Sequence, residues 1–176
     1  MKEKELTALV IDDDMSWLQT LCRLAKKVGY KTLTASFYNE AIELINKFVP
    51  DFVITDIRLV DDDKNNDDGL QILKYMKKNE LLKESIIVTG YPTYETKKIA
   101  DELGVLYFKK GQFSKDEFQS ELNKSKKKLL SEQNIPLRVS NQCNLKCLKK
   151  LIKKIYLKVC HKQEFIIQNS FVGFSY

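Results

Sequence analysis

Residues 8–18, ALVIDDDMSWL, run four apolar residues into three aspartates and then open a segment with helical spacing. A short, unbroken apolar run suits a strand buried on both faces, the kind that parallel sheets contain. Three like charges at its end are costly, because neighbouring carboxylates oppose one another's ionisation. Either the stretch is a solvated turn, or this spot has a use for concentrated negative charge. The choice depends on what the rest of the chain brings to the same place.

The pattern recurs five times. TALVI (7–11) is followed by a helical pattern over 16–28, with Leu18, Leu21, Cys22, Ala25 and Val28 on one face and Gly29 at the position of a C-terminal cap. KTLTASF (31–37) is rich in threonine and reads as a strand, and EAIELINKF (40–48) as a helix that Pro50 stops. DFVITD (51–56) and SIIVTG (85–90) flank a helix at 69–78. A helix at 94–103, a strand VLYFKK (105–110) and a helix at 114–130 complete the series. Five strand–helix units with short links specify an α/β fold with a doubly wound parallel sheet.

In such sheets ligands bind beyond the carboxyl ends of the strands, where strand order reverses. The polar residues there are Asp12, Asp13 and Asp14 after the first strand and Asp56 after the third. Thr89 ends the fourth strand and Lys110 the fifth. Carboxylates without a nearby histidine suit a hard cation such as Mg²⁺, which takes oxygen ligands and keeps several waters. A lysine opposite them and a hydroxyl beside them fit phosphoryl transfer, which depends on positioning and on neutralising oxygen charge. An aspartate can also be the nucleophile and form an acyl phosphate.

With VIDDD at the end of the first strand, TD in FVITDIRL, TG in IIVTGY and Tyr107 with Lys110 in YFKKG, the chain resembles the receiver domain of two-component response regulators. The resemblance covers about residues 5–124 and implies a flavodoxin-like sheet of order 2-1-3-4-5. It implies that Asp56 accepts a phosphoryl group from a sensor histidine kinase or a phosphotransfer protein. It implies a Mg²⁺ site on Asp13 directly, Asp12 largely through water, Asp56 and the backbone carbonyl of Arg58. Thr89 would bond the phosphoryl oxygen, Lys110 would pair with the phosphoryl group, and Tyr107 would be the aromatic whose rotamer tracks activation. The surface of the fourth helix, fifth strand and fifth helix would then change, and a homodimer through it is expected. The resemblance implies no enzyme beyond self-catalysed phosphoryl transfer and slow autodephosphorylation.

Local readings stand beside these roles. Asp14 suits the start of the following helix, whose dipole favours an acid. Tyr107 also suits core packing. Lys109 and Lys110 compete for the fifth-strand role, and strand alternation puts them on opposite faces. The chain departs from the family twice. Gly111 follows Lys110 where receivers usually carry proline, and the loop LVDDDKNNDDG (59–69) is about five residues longer than usual, with aspartates at 61, 62, 63, 67 and 68. The loop lacks EF-hand spacing and reads as a solvated acidic segment, or as one that tunes partner choice or phosphoryl lifetime.

Hydrophobic residues make up 43% of the 176, enough for a core and against global disorder. Apolar runs of about 18 residues, the length that spans a membrane, do not occur. Four cysteines without a secretion pattern predict a reduced, cytoplasmic protein. Residues 1–124 carry 19 Lys+Arg against 22 Asp+Glu, a net −3, whereas 125–176 carry 11 against 2, a net +9. This split predicts a receiver domain over 1–130, a linker over 131–142 around Pro136, and a basic amphipathic helix with an apolar tail over 143–176.

In that last part Leu148, Leu151, Ile152, Ile155 and Val159 line one face and lysines fill much of the rest. Membrane, nucleic acid or a packed partner would each suit it. Cys143, Cys147, Cys160 and His161 lack a familiar zinc spacing. QCNLKCLKK resembles the opening of a radical-SAM cluster motif but has Lys150 at the third cysteine position.

The leading expectation is a phosphoacceptor in two-component signalling. The alternative is a non-phosphorylated interaction module acting through its basic tail on a membrane or nucleic acid. A haloacid-dehalogenase-like phosphatase would accept the Asp12–Asp14 spacing but wants a second acidic motif near the fourth strand.

Overall fold

The computed structural model describes residues 5–60, 63 and 65–133. The expected linker, most of it beyond position 133, and the basic helix after it lie outside the described residues.

Strand alternation decides which layer each side chain joins. In β1 (Thr7–Ile11), Ala8 and Val10 enter one core and Leu9 and Ile11 the other. β3 (Phe52–Thr55) divides in the same way, with Phe52 and Ile54 opposite Val53. Both strands are buried almost throughout, as their unbroken apolar runs require. β2 (Lys31–Ala35), β4 (Glu84–Thr89) and β5 (Leu106–Lys109) complete a parallel sheet of order β2-β1-β3-β4-β5. β2 and β5 are its edges and are more exposed than the central strands.

α1 (Met15–Lys27) and α5 (Lys115–Gln133) cover one face. Leu18, Leu21 and Ala25 meet Phe118, Leu122 and Leu129 there over the even-numbered side of β1. α2 (Tyr38–Phe48), α3 (Asp68–Lys78) and α4 (Tyr94–Leu103) cover the other face through Ala41, Ile45, Leu70, Leu73, Met76 and Ala100. This is the doubly wound α/β architecture expected from the repeat, in the flavodoxin-like strand order that the resemblance implies.

Several boundaries differ from the sequence reading by one to three residues. β2 stops at Ala35 because the Glu40 carboxylate accepts the Ser36 N–H at 2.8 Å and turns the chain into α2. α2 starts two residues earlier than read, at Tyr38, and ends at Phe48 as read; Val49 after it stands before Pro50 and takes a left-handed φ of 48°, since proline disfavours the helical region for the residue preceding it. β5 ends at Lys109, and Lys110 opens a 3-10 turn (Lys110–Gln112). Lys110 therefore takes its direction from this turn and not from strand alternation.

Candidate functional site

β1 and β3 are neighbours at the point where strand order reverses. Their ladder continues one step beyond β3, because Asp56 N–H donates to the Ile11 carbonyl at the end of β1 at 2.9 Å. That bond sets Asp12 beside Asp56, and both are buried. One oxygen from each of Asp12, Asp13 and Asp56 lies within 4.8 Å of the others. Repulsion at that spacing is on the order of 3–4 kcal/mol per ionised pair at an effective dielectric of about 20. Lys110 crosses from the β5 end to offset it. Its Nζ lies 2.9 Å from Asp12 Oδ2 and 2.7 Å from Asp56 Oδ2. Among the described residues, three carboxylates and one bridging ammonium line the pocket with hard oxygen donors, which fits a divalent cation such as Mg²⁺.

The third aspartate of the opening stretch does something else. Asp14 is exposed and caps α1, its Oδ1 accepting from Ser16 N–H at 2.7 Å and Trp17 N–H at 3.3 Å. The Ser16 bonds hold its carboxyl below the usual range. Asp12 shifts the other way. Burial pushes its pKa up to about 7, although Lys110 opposes the shift and Asp56 adds to it. Burial also works against the Lys110 ammonium, but its bonds to Asp56 and Asp12 prevail and raise its pKa.

An aromatic cluster carries Lys110 to this position. Phe113 packs against Trp17, Phe108 and Phe118, with ring centroids 5.3, 6.1 and 5.0 Å apart, and so joins the turn after β5 to α1 and α5. The Lys110 ammonium then lies 5.2 Å from the Trp17 ring centroid. Gly111 has an ordinary φ, open space where a Cβ would stand, and a trans peptide before it.

The segment after Asp56 is stitched to α3. Thr55 Oγ1 donates to the Asp56 carbonyl at 2.7 Å, Ile57 N–H donates to Asp56 Oδ1 at 2.5 Å, and Gly69 N–H donates to the Ile57 carbonyl at 2.9 Å. A Cβ on Gly69 would stand 1.8 Å from the Asp56 carbonyl oxygen, so this approach needs glycine. The Arg58 guanidinium lies 3.8 Å from the Tyr91 ring centroid and bridges the loops after β3 and β4.

Thr89 is fully buried, and its hydroxyl oxygen accepts from Tyr91 N–H at 3.2 Å. Tyr107 is half-buried against the α2–α3–α4 side, with its hydroxyl 3.4 Å from that of Thr96 on α4. Burial raises its pKa, the Thr96 contact opposes this, and Asp56 adds to it. The structure thus gathers Asp12, Asp13, Asp56 and Lys110 into one pocket. Thr89 is at the end of the neighbouring strand, and Tyr107 is toward α4. Sequence reading did not single out Tyr91, Trp17 or Asn66; none has a local signature, since each matters through a contact across loops.

Fold and site define a doubly wound α/β protein with a cation-attracting carboxylate pocket at its switch point. Residues 8–123 match the family model of the response regulator receiver domain, and the chain belongs to that family. It is 29% identical over 116 residues to sporulation initiation phosphotransferase F of Bacillus subtilis strain 168, covering 66% of this chain and 90% of that protein. It is also 29% identical over 125 residues to transcriptional regulatory protein ZraR of Escherichia coli K12. That match covers 71% of this chain but 27% of the length of ZraR. Among solved structures, a response regulator receiver domain protein from Clostridium thermocellum is 29% identical with a TM-score of 0.59, covering 71% of this chain and 98% of that one. The signal receiver domain of a putative LuxO repressor protein from Vibrio parahaemolyticus shares the fold at 18% identity and a TM-score of 0.63, covering 74% and 96%. No helix among the described residues is long and apolar enough to cross a membrane.

Proposed function

We propose that the chain is a phosphoacceptor of a two-component pathway, taking a phosphoryl group on Asp56 from a histidine kinase or a phosphotransfer protein. The observation that carries this is the pocket itself: three carboxylates within 4.8 Å and a lysine bridging two of them. An Asp56 carboxylate oxygen would attack phosphorus and form an acyl phosphate, while the bond from phosphorus to the donor imidazole nitrogen breaks. Mg²⁺ held by Asp12, Asp13, Asp56 and the Arg58 carbonyl would supply charge neutralisation for the phosphoryl oxygens. Lys110 is already on Asp56 and is placed to follow the added charge. Thr89 is the hydroxyl for a phosphoryl oxygen: its O–H would donate there, and turning toward that oxygen would exchange its present placement against the Tyr91 N–H for a new one.

The output would follow from that exchange. Movement of Thr89 and Tyr91 reaches α4 through the loop between them, and Tyr107 touches α4 at Thr96. The α4–β5–α5 face exposes Tyr94 and Leu106, apolar surface suited to a partner or a second copy. On this reading the protein turns over no other substrate and signals by population shift.

The test is direct. Native protein incubated with a small phosphodonor and Mg²⁺ gains the mass of one phosphoryl group, and Asp56→Ala does not. No gain in the native chain, or an equal gain in the variant, ends the assignment.

A further inference from the structure

We propose that Asn66, from the long acidic loop, is a positioning residue that aims the Arg58 carbonyl toward the carboxylate pocket as a Mg²⁺ ligand. This rests on the reading of the pocket given above. The Arg58 C=O and the Leu59 N–H belong to one peptide unit, which is trans and planar. In such a unit the two bonds point in opposite directions, so whatever holds the N–H also aims the carbonyl. The Leu59 N–H donates to Asn66 Oδ1 at 2.9 Å. The same oxygen takes the Asp68 N–H at 3.4 Å, so one side chain ties the start of the loop to the start of α3.

The rest of the segment leaves this peptide little other freedom. Ile57 and Leu59 on either side of Arg58 are buried at 2% and 3% exposure. The Ile57 carbonyl is already held by Gly69 N–H. Asn66 is seated by its own N–H on the Asp63 carbonyl at 3.1 Å. Its chemistry also suits the place. An amide oxygen accepts two N–H groups without adding charge to a pocket that already has three carboxylates. The extra residues of the loop thus bring an acceptor back to the metal edge of the site.

The experiment titrates Mg²⁺ into the full chain, read by the emission of Trp17, the single tryptophan, and by isothermal calorimetry. Trp17 reports because the Lys110 ammonium lies 5.2 Å from its ring centroid and is paired with the carboxylates that a cation would engage. Asn66→Ala and Asn66→Ser are each expected to weaken Mg²⁺ binding about tenfold, the usual loss when the partner of a metal ligand is removed. Asn66→Asp keeps an oxygen on both amides and is expected to bind at least as tightly as the native chain. Gln71→Ala removes contacts to Asp67 in the same loop without touching Leu59, and is expected to behave as native. Native-like affinity in Asn66→Ala and Asn66→Ser overturns the proposal. So does an equal loss in Gln71→Ala, which would mean general loosening of the loop. If the native chain binds Mg²⁺ and only the Asn66 effect is missing, the phosphoacceptor reading survives. A native chain without any Mg²⁺ response sinks both.

Discussion

Replacing Gly69 by alanine is expected to damage the phosphoryl site without altering any side chain in it. The new Cβ would stand 1.8 Å from the Asp56 carbonyl oxygen and 2.9 Å from both the Asp56 carbonyl carbon and Thr55 Oγ1. Two of these are backbone atoms, so relief requires α3 and the end of β3 to separate by more than about 1 Å. Overpacking of this kind costs about 1–3 kcal/mol. Separation also loses the Gly69–Ile57 hydrogen bond, about 1 kcal/mol net. Alanine recovers up to about 1 kcal/mol of helix propensity. The balance is a loss of about 2 kcal/mol. Unfolding entropy of roughly 2.1 cal/mol/K per residue over about 130 residues converts this to a fall in Tm of about 7 °C.

Thermal unfolding followed by circular dichroism measures that fall. Gly111→Ala is the control, since its Cβ meets open space and its φ is ordinary; its Tm stays within about 2 °C of native. Phosphoryl uptake by Gly69→Ala should also slow by up to about a hundredfold, because a displacement near 1 Å suffices for that loss. A Gly69→Ala variant that melts like the native protein would refute the reasoning, since the close approach would then carry no energy.

Three further outcomes follow from the same geometry. Asp14→Ala lowers stability by about 1 kcal/mol through the lost helix cap, yet leaves Mg²⁺ affinity within about twofold, as denaturant unfolding and metal titration would show. Asp12→Asn bears on pH. Asp12 has its pKa raised from 3.8 to about 7, so the folded state holds a proton that the unfolded chain has released, and metal-free stability falls as pH rises from about 4 to 7. The variant should therefore melt higher than the native chain at pH 8 without metal and lose the Mg²⁺-induced rise in Tm. In the native chain, Mg²⁺ binding should weaken as pH drops below about 7, because the cation competes with that proton. Lys110→Met leaves two buried carboxylates without their shared cation, and urea unfolding should show a loss of about 3 kcal/mol at pH 8; Mg²⁺ restores part of it.

The fold was legible because its signals are local. Short apolar runs at β1 and β3 can only be buried on both sides, and alternating helices supply the cover. The acidic and basic site residues were legible for a related reason, since a doubly wound sheet brings its strand ends to one edge. The boundary of β5 was not, because Lys110 leaves the strand in a turn that depends on Phe113 packing against Trp17 and Phe118. Nor was the closeness of Gly69 to Asp56, which is a distance between two segments and leaves no periodic trace.

The opening stretch shows the division. The sequence by itself determined that β1 ends in excess negative charge at a ligand-binding edge, since apolar periodicity and unit order suffice for that. It also set Asp14 apart, at the start of the following helix; only the tertiary structure showed what Asp12 and Asp13 meet. Asp12 is buried on Lys110, Asp13 lies in the carboxylate group, and Asp14 caps α1 as its place before the helix implied. Adjacent residues leave a strand end in different directions: Asp14 meets the next turn of its own chain, whereas Asp12 and Asp13 meet residues of β3 and the β5 turn that lie far along the sequence.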